Sequence, residues 1–182
     1  MLKGPFTVES FQRLGELGIL GEDDRVELID GQVVEMTPIG AAHVSCVNRL
    51  NALFAPLAGR EATLSVQNPL VLSEHQEPQP DFTVLRHRPD GYRARLPGPT
   101  DVLLVIEVAD TSLAYDRDVK IPRYARASIP EAWLVDLTGD RIGVYREPRA
   151  DAYSLVHWAA RGEILTPLLL PQVALAVTEI LG

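Results

Sequence analysis

The chain has 182 residues, of which 46% are hydrophobic and 23% charged. This composition is ordinary for a folded globular protein and excludes disorder as the main state. The formal net charge of −8 disfavours a basic protein that coats nucleic acid, although metal-binding carboxylates and a local basic strip are compatible with that total.

Cysteine content and hydropathy indicate the cellular compartment in which the protein is expected. The one cysteine, Cys46, excludes an internal disulfide, and its position in an apolar helical run predicts a small core residue. No apolar run reaches the length of a membrane span, and the amino terminus lacks the apolar core of a signal peptide. We therefore expect a cytoplasmic protein with no membrane partner.

Turn residues and apolar spacing define the elements of the first half of the chain. Thr7 is a suitable cap for the first helix. The dipeptide Asp30-Gly31 suits the positive φ angles of a type I′ hairpin turn. The predicted elements are, in order, a helix over 7–19, a hairpin of strands 25–29 and 32–36, a helix over 41–57, and strands at 63–66, 70–72 and 81–85.

A strongly apolar strand dominates the second half. The run 102–106 is apolar without alternation, which is typical of a strand buried on both faces. The predicted elements are a loop over 86–100, a strand over 101–109, a helix over 114–127, a hairpin of strands 131–137 and 141–145 turning at Gly139-Asp140, and edge strands or a short helix from 153 onward. The pattern predicts an α/β (α+β) fold over residues 1–182 as one domain, with a mixed β-sheet flanked by helices after an N-terminal helix and β-hairpin.

Glu107 is an acidic residue near the end of the most apolar strand. An ionised carboxylate there is costly unless it is paired, protonated or bound to a metal. Because side chains alternate along a strand, Glu107 shares a face with Val105, and Ile106 shares the other face with Val108. Glu107 is then either part of a site at the carboxyl end of the strand or a glutamate that reaches solvent or pairs with an arginine.

Asp81 and Lys120 are the candidates to join Glu107. Asp81 opens a second apolar strand after Pro80, and if the two strands are neighbours both carboxylates can converge on one divalent cation. Lys120, on the following helix, can reach back over the strand end and stabilise charge on a phosphoryl group. The alternatives are a turn-capping role for Asp81 and a solvated helix face for Lys120.

Several other polar residues have two interpretations each. His43 can line the same cleft, but a surface or capping role is favoured. Gln67 either hydrogen-bonds near the site or has no role. The arginines of the loop that follows Asp81 either contact phosphate or are solvated, and these are Arg86, Arg88, Arg93 and Arg95. Trp133 and Tyr124 are expected in the core.

The ordered set of motifs resembles the Uma-two family. The motifs are Val26 to Gly31, Val34-Glu35-Met36, His43, Pro80-Asp81, Glu107-Val108-Ala109, Asp118-Val119-Lys120, Tyr124-Ala125 and Glu131 to Asp136. The resemblance covers about residues 7–146 and implies a restriction-endonuclease-like core of the PD-(D/E)xK nuclease superfamily. It also implies Mg²⁺ or Mn²⁺ bound by Asp81, Glu107 and the carbonyl of Val108, with Glu27 as an additional acid. The superfamily lysine would fall at Ala109, so the resemblance implies its displacement to Lys120.

Two functional hypotheses follow. The first is a metal-dependent endonuclease that hydrolyses DNA phosphodiester bonds with a Mg-activated water, acting as a homodimer so that both strands are cut. A related hypothesis has the same site hydrolyse a small phosphoester. The second is a catalytically inactive module that keeps the nuclease fold for interaction or regulation, and the net charge of −8 favours it somewhat.

Overall fold

The computed structural model describes residues 5–21 and 23–182. Its main elements are α1 (Val8–Glu16), β1 (Val26–Ile29), β2 (Gln32–Glu35), α2 (Ala41–Phe54), β3 (Ala62–Val66), β4 (Phe82–Arg86), β5 (Val102–Ala109), α3 (Leu113–Tyr115), a π-helical turn (Asp116–Lys120), α4 (Ile121–Arg126), β6 (Glu131–Asp136), β7 (Arg141–Arg149), β8 (Ala152–Ala160), β9 (Ile164–Leu165), β10 (Leu175–Ala176) and α5 (Val177–Leu181). None of the helices in these two ranges is both long and apolar enough to cross a bilayer.

A six-stranded mixed sheet is the centre of the fold. Its strand order is β3-β4-β5-β6-β7-β8, and every neighbouring pair is antiparallel except β5 and β6. One face packs against α2 and α5, and the other packs against α4. The predicted α+β fold, a mixed sheet flanked by helices, is confirmed.

Strand β5 is buried along its whole length, as its unbroken apolar run predicted. Ile106 and Val108 belong to the core beneath α2, and Val105 belongs to the core beneath α4. This alternation places Glu107 on the α4 side of the sheet. The position of this acid therefore depends on the pleat of β5, as the sequence indicated.

The first hairpin lies beside the segment that leads into β4. Asp30 and Gly31 have φ angles of 49° and 71°, which agrees with the predicted type I′ turn. The amide of Leu28 donates to the carbonyl of Glu77, and the amide of Glu77 donates back to Leu28. These bonds fix β1 against residues 75–79, just before Asp81.

Two predicted elements differ from the structure. Residues 70–72 do not form a strand of the sheet: the amides of Leu70 and Leu72 donate to Pro78 and Gln76 across a tight local loop. The predicted helix over 114–127 is interrupted by the π-helical turn. Pro122 explains the interruption, because it has no amide to bond to the carbonyl four residues earlier.

The remaining differences are at element ends. Helix α1 stops at Glu16, and Leu17 and Ile19, which were expected to lie on its apolar face, are exposed. The helix predicted over 41–57 consists of α2 and a 3-10 turn. Cys46 is fully buried on the side of α2 that packs against the sheet, which confirms the core role predicted for it.

Candidate active site

Asp81 lies immediately before β4 and is held by three hydrogen-bond donors. Its Oδ2 accepts from the amide of Val108 at 2.9 Å. Its Oδ1 lies 2.9 Å from His43 Nε2 and accepts from Gln67 Nε2 at 3.3 Å. The register of β4 and β5 pairs Phe82 with Ile106, so Asp81 lies directly beside Glu107.

Glu107 is 1% exposed, and both of its carboxylate oxygens have polar partners. The amide of Asp81 donates to its Oε2 at 3.3 Å, and the Tyr124 hydroxyl donates to its Oε1. Lys120 Nζ lies 3.3 Å from Oε1. Tyr124 is buried, as expected for a core residue, but it also holds the carboxylate of Glu107.

Lys120 joins the acids of two separate elements. Its Nζ lies 3.3 Å from Glu107 and 3.4 Å from Glu27 of β1, and it contacts the carbonyl of Gln79 at 3.5 Å. Glu27 in turn accepts from the Gln79 amide at 3.1 Å and from the Tyr115 hydroxyl at 2.9 Å. The structure thus brings Glu27, Glu107 and Lys120 into direct contact, with Asp81 beside them.

His43 and Asp116 belong to this cluster although the sequence did not assign them to it. The sequence favoured a surface or capping role for His43, but the ring is 5% exposed and faces Asp81. Asp116 is buried in the π-helical turn and accepts from Ser112 Oγ at 2.5 Å. Pro122 was the available signal for this turn, because a proline inside a predicted helix marks a break in it.

Carboxylates outnumber cations in the cluster. Glu27, Asp81, Glu107 and Asp116 are all buried, and Lys120 is the only buried lysine or arginine in residues 5–21 and 23–182. Four carboxyl groups therefore surround one ammonium. Buried carboxylates of this number are costly without further positive charge.

The pKa values reflect this surplus of acid. Burial raises the pKa of Glu107 well above its usual value, with Lys120 opposing the rise and Asp81 adding to it. Burial likewise raises the pKa of Asp116 to about 6. Burial opposes the charged form of Lys120, but Glu107 and Glu27 outweigh it and raise the pKa of Lys120. Burial also acts to raise the pKa of Asp81, yet the hydrogen bond from His43 and the charge of Lys120 keep it below its ordinary value.

A cavity of about 430 Å³ opens onto the cluster. Three of the acids, Glu27, Asp81 and Asp116, line it together with Lys120 and Val108, whereas Glu107 lies behind them and does not. The cavity lies at the carboxyl end of β5, where open sheets commonly bind ligands. A small ligand can therefore reach Asp81 and Lys120 from the cavity.

The loop arginines lie away from this cavity. Arg86 ends β4 whereas Asp81 precedes it, so the two are separated by the length of the strand, roughly 16 Å at 3.3 Å per residue. Arg88 pairs with Asp90 and Arg95 pairs with Asp101. The structure thus does not place the predicted phosphate-contacting strip at the site.

Comparisons with known proteins agree on one family. A family model described as "Uma2: Putative restriction endonuclease" matches residues 8–178. A matching solved structure, from Anabaena variabilis ATCC 29413, is titled "a putative nuclease belonging to DUF820". It is 18% identical, with a TM-score of 0.69 over 97% of this chain and 98% of that chain, and at this identity the likeness shows the fold. No curated protein matches. The chain belongs to the Uma2 family, as its motifs predicted, and has the nuclease-like fold.

Proposed function

We propose that this protein is a metal-dependent endonuclease that hydrolyses DNA phosphodiester bonds, with residues 1–182 acting as one nuclease-like domain. The observation that carries the proposal is the surplus of buried carboxylates, three of which, Glu27, Asp81 and Asp116, line the cavity. Such a surplus matches a site that is completed by a divalent cation. Membership of a family described as "Putative restriction endonuclease" supports the choice of nucleic acid as substrate.

The oxygen ligands that the site offers can be matched to those that Mg²⁺ requires. Across 5–21 and 23–182, no three His, Cys, Asp or Glu side chains are grouped to hold a metal ion by themselves. Mg²⁺, however, is commonly held by one or two carboxylates, with water and substrate phosphate as its other ligands. Asp81 and Glu107 provide two carboxylates at neighbouring positions of β4 and β5, so the residues fit Mg²⁺ or Mn²⁺.

Val108 is the third proposed ligand, through its backbone carbonyl. Its amide donates to Asp81, away from β6. Because the amide and carbonyl of one strand residue point to the same side, the carbonyl of Val108 faces that side also. Val108 lines the cavity. A bound cation would polarise a phosphoryl oxygen and make an attacking water more acidic.

Lys120 and Glu27 have separate proposed roles. Lys120 lines the cavity and carries a firmly retained positive charge, so it is suited to stabilise the negative charge that develops on a phosphoryl group. Glu27, which also contacts Lys120, at 3.4 Å, holds the ammonium in place. Both roles extend the assignment that the family resemblance implied. A homodimer, as expected from the sequence, would bring two such clefts to one duplex.

A cleavage assay tests the proposal. Duplex DNA, single-stranded DNA, RNA and a small phosphodiester are incubated with the protein in Mg²⁺, in Mn²⁺ and in a chelator. Cleavage of DNA is expected only with the cation, and Asp81→Asn and Glu107→Gln are expected to abolish it.

Asp101→Asn is the matched control. Asp101 is 8% exposed, as Asp81 is, but it lies before β5, at the opposite end of that strand from Glu107. This variant is expected to cut DNA as the wild type does. A folded wild-type protein that binds Mn²⁺ but cuts none of the four substrates would instead support the inactive interaction module.

A further inference from the structure

We propose that His43 is a positioning residue: together with Gln67 it occupies Oδ1 of Asp81, so that Oδ2 is the oxygen presented to a divalent cation. The inference rests on the proposed function, since it assigns the orientation of one ligand in that same site. It assigns a role to a histidine for which the sequence interpretation favoured a surface or capping position over one in the cleft.

The His43 ring has a single hydrogen-bonding contact among the described residues. His43 is the third residue of α2, and its ring is buried between that helix and the start of β4. Nε2 lies 2.9 Å from Asp81 Oδ1, whereas Nδ1 is buried and has no hydrogen-bond partner in the part of the chain that the structure describes. The contact with Asp81 is therefore the ring's one hydrogen bond there, and the ring links Asp81 to nothing else.

The two oxygens of Asp81 differ in how many of their acceptor positions are filled. An ionised carboxylate accepts about four hydrogen bonds, two on each oxygen. Oδ1 has two donors, His43 Nε2 and Gln67 Nε2, so both of its positions are filled. Oδ2 has one donor, the Val108 amide. One acceptor position therefore remains, and it belongs to Oδ2.

The remaining acceptor position of Asp81 lies on the side of Glu107. Oδ2 accepts a hydrogen bond from the Val108 amide of β5, the strand that carries Glu107. The Asp81 amide in turn donates to Glu107 Oε2. The open position of Asp81 is thus on the oxygen next to the second proposed ligand. Without His43, one position on Oδ1 becomes free, and the carboxylate is able to turn either oxygen toward the cavity.

Metal binding by variants of His43 tests the inference without any cleavage reaction. Loss of a group that orients a metal ligand typically weakens metal affinity by about 10- to 100-fold. We expect a loss of that size in the Mn²⁺ affinity of His43→Leu, measured by calorimetry and by the electron paramagnetic resonance signal of free Mn²⁺. His43→Gln keeps an N–H donor of similar reach and is expected to restore most of the affinity.

Val47→Ala separates positioning from packing. Val47 lies one turn after His43 on the same buried face of α2, belongs to the hydrophobic core and has no polar side-chain atom that could bond to Asp81. Its truncation is expected to lower the free energy of unfolding, measured in urea without metal, and to leave the Mn²⁺ affinity unchanged. Equal losses of Mn²⁺ affinity in Val47→Ala and His43→Leu would overturn the positioning role.

The remaining outcomes are also decisive. Wild-type Mn²⁺ affinity in His43→Leu overturns the inference alone, whereas a wild-type protein that binds no Mn²⁺ overturns the proposed function and the inference with it. If His43→Leu does not fold, Gln67→Leu removes the other donor to Oδ1. Mn²⁺ affinity is then expected to fall, and an unchanged value would overturn the assignment of Oδ2.

Discussion

Lys120→Met tests whether the acids of the site depend on one cation for their stability. Lys120 Nζ lies within 3.4 Å of both Glu27 and Glu107, whose side chains are almost completely buried. Methionine keeps the length of the side chain and removes its charge. Breaking a buried ion pair by removing one partner costs about 3–5 kcal/mol, because the other charge stays buried. Small proteins have only about 5–15 kcal/mol of stability, so the loss should be large.

Urea unfolding in a chelator measures this loss, with Arg117→Met as the matched control. Arg117 lies in the same π-helical turn, but its pair with Asp118 is exposed to solvent. Exposed pairs contribute about 0–1 kcal/mol, so Arg117→Met should be close to wild type. Equal losses of stability in the two variants would refute the argument that the ammonium offsets the buried acids.

The pH dependence gives a second check on Lys120→Met. The pKa of Glu107 in the folded protein is already above its usual value because of burial, and it should rise further once Lys120 no longer opposes that rise. A raised carboxyl pKa means that the folded state binds its proton more tightly than the unfolded state does. The stability of Lys120→Met should therefore increase as the pH falls from neutral toward the usual glutamate pKa. A difference in unfolding free energy between Lys120→Met and wild type that stays constant over that range would contradict the explanation.

Two further predictions concern buried acids. Asp116→Asn should be more stable than wild type at neutral pH without metal. Because the pKa of Asp116 is raised from 3.8 to about 6 in the folded protein, the wild type loses stability as the pH rises from 3.8 through 6. Urea unfolding should therefore show that the difference in unfolding free energy between variant and wild type shrinks as the pH falls toward 3.8. Arg146→Met should cost about 3 kcal/mol in the same assay, because it removes the arginine 2.7 Å from the fully buried Glu131. Its Mn²⁺ affinity should be that of wild type, since Glu131 begins β6, at the end away from Glu107.

The parts of the site that the sequence predicted are those set by local pattern. The unbroken apolar run of β5 made Glu107 conspicuous, because a carboxylate in such a strand needs a partner. Pro80-Asp81 marked the start of a neighbouring strand. That the two acids lie side by side depends on the register of β4 against β5, which the sequence interpretation assumed and the structure contains.

The parts that the sequence missed depend on distant packing. His43 is polar and near a helix start, which suits a surface or capping residue equally well. Its burial is decided by the placement of the start of α2 over Asp81, and nothing near His43 in the sequence indicates that placement. Residues 70–72 have the apolar character of a strand, but the loop that returns to Gln76 and Pro78 takes their amides away from the sheet.

The charge distribution of the cleft connects its stability with its proposed chemistry. The buried carboxylates would repel a phosphate, and besides Lys120 the other charged residues that line the cavity are one arginine, Arg25, and two acids, Glu35 and Asp110. A polyanionic substrate therefore gains little from the protein's own charges there. A divalent cation would lower the cost of burying the acids and attract the phosphate at once. In the proposed function, the acid surplus would therefore couple substrate binding to the cation.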